Sequence, residues 1–147
     1  MPQLTFPLSS SGELTLTVVI GHGRKALLGF LAARQPIPRP AWTTGVIDTG
    51  TNITCVTPAV LQRLQLSSTM QGSSQTVGGP VAANLFEVSV SIPPARNVPG
   101  PMLTRRDLVV MEMPSPIPGV EVLIGMDILL GCKLILDGPA RQFTLEF

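Results

Sequence analysis

Apolar and polar residues alternate through much of this chain. In Gly12 to Gly21, GELTLTVVIG, Leu14, Leu16, Val18 and Ile20 occupy every second position. A period of two turns one face of an extended segment toward a core, so a strand is predicted there. NLFEVSVSI (Asn84 to Ile92) repeats the pattern with Phe86, Val88, Val90 and Ile92 on one face, and Pro93-Pro94 stops it. Shorter strand candidates are TTGVIDTG (43–50), NITCV (52–56), RDLVVMEM (106–113), EVLIG (121–125), CKLILDG (132–138) and RQFTLEF (141–147). Asp137-Gly138-Pro139 reads as the turn between the last two.

Helical spacing is confined to short stretches. Thr57-Pro58 is a cap followed by a first-turn proline, and it opens AVLQRLQL with Val60, Leu61 and Leu64 on one face. MDILLG (126–131) has room for a turn or two, closed by glycine. Glycine (14) and proline (15) are spread along the whole chain and exclude long helices. Arg34 to Pro40 and Pro93 to Pro101 read as extended connections, and no internal repeat is present. The pattern predicts a single mainly-β domain over residues 1–147, a closed barrel or sandwich with one or two short helices.

Composition narrows the functional classes. A chain of 147 residues hides roughly 70% of the surface its unfolded form exposes, enough for a proper core. Only 13% of residues are charged and 44% are apolar, which excludes a disordered polyelectrolyte. The net charge is +1 and the basic residues are scattered, so no nucleic-acid footprint exists. The longest apolar segment, Ala26 to Ala33, is far short of the ~20 residues that span a bilayer. MPQLTFPLSSSGE lacks the basic start and apolar centre of a signal peptide, and Cys55 and Cys132 read as reduced thiols. A cytoplasmic location without membrane partners is therefore expected, and the Asn52-Ile53-Thr54 sequon reads as chance.

Several chemistries fail on inspection. Gly21-His22-Gly23-Arg24-Lys25-Ala26 follows a strand and leads into helix-like KALLGFLAAR, which mimics a dinucleotide-binding turn. That turn needs a βαβ unit and an acidic residue about 20 positions on. Here the segment runs into prolines 36, 38 and 40, and the rest of the chain lacks alternating helices. His22, the only histidine, sits in a glycine-rich turn and reads as a solvent-exposed polar residue. One histidine and two distant cysteines do not make a zinc site, so no metal or cofactor is expected. Acid–base chemistry falls to carboxylates.

Asp48 is the carboxylate that needs explaining, because it ends the apolar run of VIDTGT. An ionised carboxylate at the end of a buried strand is costly unless donors surround it or it shares a proton. Gly50 allows a sharp turn that presents N–H groups to it, and the hydroxyls of Thr49 and Thr51 can add to these. An ordinary turn linking two strands accounts for the same tripeptide. A second segment, Val122-Leu123-Ile124-Gly125-Met126-Asp127-Ile128-Leu129, taken singly reads as a strand entering a capped helix.

Together, VIDTGT and VLIGMDIL resemble the two marks of the retropepsin-like aspartic proteases. The resemblance implies that Asp48 is catalytic and that Ile124 and Gly125 pass beside its loop. It also implies that Asp127 opens the one carboxy-terminal helix. Between the marks, SQTVGGPVAANLFEVSV (74–90) stands where the family carries a substrate-covering flap, with Val77, Gly78, Gly79, Pro80 and Val81 at its tip. A single D-T-G in 147 residues implies a homodimer in which two Asp48 carboxylates share one proton and activate water against an extended peptide. Thr49 would brace the dimer across the axis, Gly50 would orient substrate backbone, and Thr51 completes the loop. The expected activity is that of an aspartic endopeptidase. A non-catalytic dimerisation or peptide-binding module on the same scaffold is the alternative, and the intact D-T-G favours the enzyme. The Arg24 to Pro40 segment and the Pro93 to Pro101 loop look like insertions, and a proline at the flap tip is a further departure. The closing segment, with Phe143, Leu145 and Phe147 on one face, reads as an exposed edge that a second subunit would pair.

Overall fold

The computed structural model describes residues 1–147, except for the side chain of Thr76. In chain order the elements begin with β1 (Gln3–Pro7), β2 (Thr15–His22), α1 (Arg24–Ala32), β3 (Ala41–Ile47) and β4 (Cys55–Val56). Then come α2 (Pro58–Arg63), β5 (Met70–Thr76), β6 (Gly79–Ile92) and β7 (Leu103–Glu112). The chain finishes with β8 (Val122–Ile124), α3 (Met126–Leu129), β9 (Lys133–Asp137) and β10 (Gln142–Glu146).

Six strands close into a barrel in the order β2, β3, β8, β4, β7, β6, and β6 pairs back onto β2. The alternation in the sequence accounts for it. Leu16, Val18 and Ile20 of β2 and Phe86, Val88, Val90 and Ile92 of β6 all point inward and are buried. They meet Val56, Val110, Val122 and Ile124 in one continuous core, with Val60, Leu61 and Leu64 of the α2 segment packed against it. Each fully buried side chain of this size stabilises the fold by roughly 1.5–3 kcal/mol relative to exposure. Two pairings position the Asp48 loop. β3 lies parallel to β8 with Ile47 opposite Ile124, and β4 lies between β8 and β7.

A second sheet has the order β1, β10, β9. Its middle strand is β10, so the closing segment is not the exposed edge its alternation suggested. Gln3 through Pro7 pair with Glu146 through Gln142 in the same chain. Phe6 stacks on Phe143 with ring centroids 5.3 Å apart, and Phe143 and Leu145 lie fully inside the core. Burial of these rings drives the pairing, and neither Pro2 nor Pro7 prevents it. The free edges of this sheet are β1 and β9.

The helices also differ from the expected one or two. Thr57-Pro58 starts α2 and Gly125 precedes α3, as predicted, but α1 is a third helix. It forms where KALLGFLAA carries helical spacing, and its first N–H, from Arg24, donates to the Asp107 carboxylate at 2.7 Å. His22, expected in solvent, is 7% exposed. Its Nε2 lies 2.7 Å from the Leu64 carbonyl oxygen and its ring meets Phe30 edge-on. A carbonyl only accepts, so Nε2 carries the proton. The reason for burial is nonlocal: Leu64 caps the carboxyl end of α2, and His22 supplies a donor to its carbonyl. No helix among the described residues is long and apolar enough to cross a membrane.

Candidate active site

Asp48 stands immediately after β3. Its N–H donates to the Ile124 carbonyl at 3.0 Å, so the β3–β8 pairing holds the start of the loop. The loop then folds back on its own carboxylate. The Gly50 N–H donates to Asp48 Oδ1 at 2.9 Å, and the Thr51 N–H reaches the Asp48 carbonyl at 3.3 Å. The sequence anticipated this turn. It also led us to expect the Thr49 and Thr51 hydroxyls at the carboxylate, but among the described residues no hydrogen bond joins either of them to it. Asp48 is half-buried, whereas Thr49 and Gly50 are exposed.

The far side of the loop is clamped by the Gly-x-Asp segment. The N–H of Met126 donates to the Thr51 carbonyl at 2.8 Å, and that of Asp127 to the Asn52 carbonyl at 3.1 Å. Gly125 lets β8 come this close. A Cβ there would lie 2.8 Å from the Ile53 carbonyl carbon and 2.9 Å from Thr51 Cγ2. The carboxylate of Asp127 is engaged by Thr54 and Ile128. Its Oδ2 accepts the Thr54 N–H at 2.8 Å, and its Oδ1 accepts the Thr54 hydroxyl at 2.7 Å and the Ile128 N–H at 3.0 Å.

Thr54 is the residue that sequence reasoning missed. It is fully buried, and its hydroxyl donates to Asp127 while accepting the Gly125 N–H at 3.1 Å. One side chain thereby ties the chain just past the first mark to the second mark, across more than 70 residues of sequence. The available signal was a hydroxyl inside the apolar ITCV run, where an unpaired polar group would be costly. The overlapping sequon pattern masks it.

Beneath the loop, Cys55, Ala83, Met111 and Met113 form a small apolar cluster, joined by Ile53, Leu85 and Leu123. This cluster connects the aspartate loop to the root of a hairpin, because Ala83 and Leu85 belong to β6. Burial, and secondarily the charges of Asp127 and Asp48, push the Cys55 thiol up to about 11 from its ordinary 9.0. It is therefore a neutral packing residue rather than a nucleophile.

The hairpin itself is β5 and the first half of β6, in register from Met70 opposite Leu85 to Thr76 opposite Gly79. Val77 and Gly78 form its tip, and Gly79, with φ +107, takes the left-handed conformation at the return. Pro80 and Val81 follow on β6, both exposed, and Val77 is wholly exposed. Among the described residues no group of three or more His, Cys, Asp and Glu side chains could hold a metal ion.

A closed β-barrel whose D-T-G loop is braced by a Gly-x-Asp helix, with a hairpin rooted beside it, defines a retropepsin-like aspartic protease. A family model described as aspartyl protease matches residues 42–128, from β3 through Asp48 and the hairpin to Asp127, and the chain belongs to that family. In fold it is similar to a retropepsin-like aspartic protease from Rickettsia conorii. The two share 15% identity over 97% of this chain and 89% of that one, with a TM-score of 0.60. More distant matches are EIAV protease complexed with the inhibitor HBY-793 and the retroviral protease-like domain of Ddi1 from Leishmania major. The first has 23% identity, covers 84% of this chain and 93% of that one, and has a TM-score of 0.44. The second has 13% identity, covers 90% and 93%, and has a TM-score of 0.43. No curated protein sequence matches the chain.

Proposed function

We propose that the chain is an aspartic endopeptidase whose active centre forms when two copies bring their Asp48 carboxylates together. The observation that carries this reading is the state of the two acids near the loop. Asp127 has both carboxylate oxygens committed to Thr54 and Ile128, which removes it as an acid–base group. Asp48 accepts a single N–H and sits beside exposed Thr49 and Gly50. General acid–base hydrolysis by carboxylates needs one group to take a proton and another to give one. The second group must then come from outside the chain, and a second copy related by a two-fold axis supplies an identical one.

In that arrangement the two carboxylates hold one proton between them, because adjacent like charges cannot both remain ionised. The ionised member takes a proton from a water, whose oxygen attacks the carbonyl carbon of the peptide bond. The protonated member donates to the carbonyl oxygen as it becomes an oxyanion. Collapse of the tetrahedral species returns that proton and transfers one to the departing amine. Thr49 contacts the partner copy across the axis, Gly50 meets substrate backbone, and the loop ending at Thr51 stays fixed by α3. Val77 to Val81 at the hairpin tip close over an extended peptide and exclude water.

The test is Asp48→Asn, which preserves size but cannot carry the charge. Peptide hydrolysis should fall by at least several orders of magnitude, while thermal stability and oligomeric state stay as in the parent. Cleavage that persists in the purified variant rules the proposal out. Specific activity of the parent should also fall on dilution, in step with the loss of dimer seen by sedimentation.

A further inference from the structure

The molecule has a polar cleft that shares no residue with the Asp48 loop. Its volume is about 600 Å³, and it is lined by His22, Arg24, Leu27, Ser89, Ser91, Thr104, Arg106 and Asp107. Small-molecule sites fall within roughly 300–1,000 Å³ but are mostly apolar, whereas Leu27 is the only apolar side chain here. The remaining lining includes two arginines and three hydroxyl residues as hydrogen-bond donors, whereas His22 spends its one N–H on Leu64.

The charges in this wall are unbalanced. Among the described residues the ion pairs are Arg63 with Glu121 and Lys133 with Glu146, so neither Arg24 nor Arg106 is paired. The one acid in the cleft, Asp107, already accepts the Arg24 backbone N–H through Oδ1. A local irregularity of the barrel produces this grouping. The β6–β7 register shifts between Val88 and Val90, and Asp107 adopts φ +53. Such bulges re-aim side chains, and they recur beside binding sites. Ser91 Oγ and Thr104 Oγ1 lie 3.1 Å apart on the paired strands, so one hydroxyl of the pair keeps a free proton to donate.

We propose that this cleft is a second binding site, for a phosphate-type oxyanion, carried either as the free ion or as a small phosphomonoester. Two planar guanidinium forks with adjacent hydroxyls offer more donors than a carboxylate has oxygens, and they match the several acceptors of a phosphate group. The volume leaves space for a small organic portion beside Leu27. His22 is fixed by its bond to Leu64 and forms a rigid part of the wall.

Calorimetric titration of the full chain with inorganic phosphate and with glycerol phosphate, at constant ionic strength, tests this proposal. The expected result is saturable one-site binding. Affinity should drop at least tenfold in each of Arg24→Gln and Arg106→Gln, and severalfold in Thr104→Val. Both arginines are exposed, so these variants should melt like the parent, and Thr104→Val offers an uncharged check. Tighter binding of glycerol phosphate identifies an organic phosphate as the ligand, and equal binding identifies the free ion. The proposal is overturned if neither probe binds saturably, or if the arginine variants bind within twofold of the parent.

Discussion

The Asp48 corner and the hairpin rooted in the same cluster are built on opposite terms. At the corner, a set of backbone N–H groups, one buried threonine and one carboxylate fix a loop of a few residues from both sides. In the hairpin, residues from Met70 to Ala82 are mostly exposed and pair with each other more than with the barrel. Both regions use glycine, but for unlike reasons. Gly125 is required because another backbone comes within contact distance, whereas Gly79 is required by its positive φ, since a Cβ there would meet nothing. The difference matches the division of labour in the proposed mechanism. The acid must be held to a fraction of an ångström, while a cover over an extended peptide must open and close.

Substituting the two glycines should separate these roles. Gly125→Val drives a side chain into the Ile53 backbone and should destabilise the fold by about 3 kcal/mol, with loss of all hydrolysis; urea unfolding measures it. An unchanged midpoint would mean that the corner yields more easily than the close approach implies. Thr54→Val keeps the shape but leaves the Gly125 N–H without a partner and Asp127 with fewer donors. It should cost about 2 kcal/mol, and if Asp48 is held through this link, kcat should fall by more than KM changes.

A third effect depends on pH. Well below pH 9 the Cys55 thiol holds its proton in both folded and unfolded chains, so it contributes almost nothing to the slope of stability there. Between pH 9 and about 11 the unfolded chain releases that proton while the folded chain keeps it, and stability falls as pH rises. The decline should amount to about 2 kcal/mol at most, and Cys55→Ala should flatten it in unfolding experiments run from pH 8 to 11. A smaller decline should remain, because burial raises Cys132 in the same direction, although Arg105 opposes it. The smallest effect belongs to the hairpin. Gly79→Ala strains the return by about 1 kcal/mol without touching the barrel. Global stability should change little while peptide turnover drops, and a full loss of fold would contradict the separation of corner from hairpin.

The barrel was legible because its causes are local. Alternation in β2 and β6 fixes which side chains point inward, and Val18, Ile20, Val88 and Ile92 are buried as their spacing requires. D-T-G and Gly-x-Asp were legible only as a pair, through their resemblance to the retropepsin-like proteases, since each alone reads as an ordinary turn or helix start. What the sequence concealed depends on partners far along the chain. Thr54 meets Asp127 across 73 positions, and His22 meets Leu64 across 42. No pattern within a window reports such a bond, so a buried imidazole looked like a surface one and a bracing hydroxyl looked like a sequon. The strand pairing of β10 was hidden for the same reason. Its hydrophobic face called for a neighbour, but nothing in RQFTLEF indicates that the neighbour is β1 of the same chain rather than of another.

That pairing has a mechanical consequence. β1 and β10 are antiparallel with Gln3 opposite Glu146, so the two ends of the chain leave the sheet side by side, and the Phe147 N–H bonds the Pro2 carbonyl at 3.0 Å. Tension applied through these ends loads the ladder one rung at a time, starting at that outermost bond, instead of shearing all rungs together. The pair opens like a zipper, and each step toward Phe6 and Phe143 draws the stacked rings out of the core. Such a force would detach the three-stranded sheet before the closed barrel, whose strands have no free end at which peeling could begin.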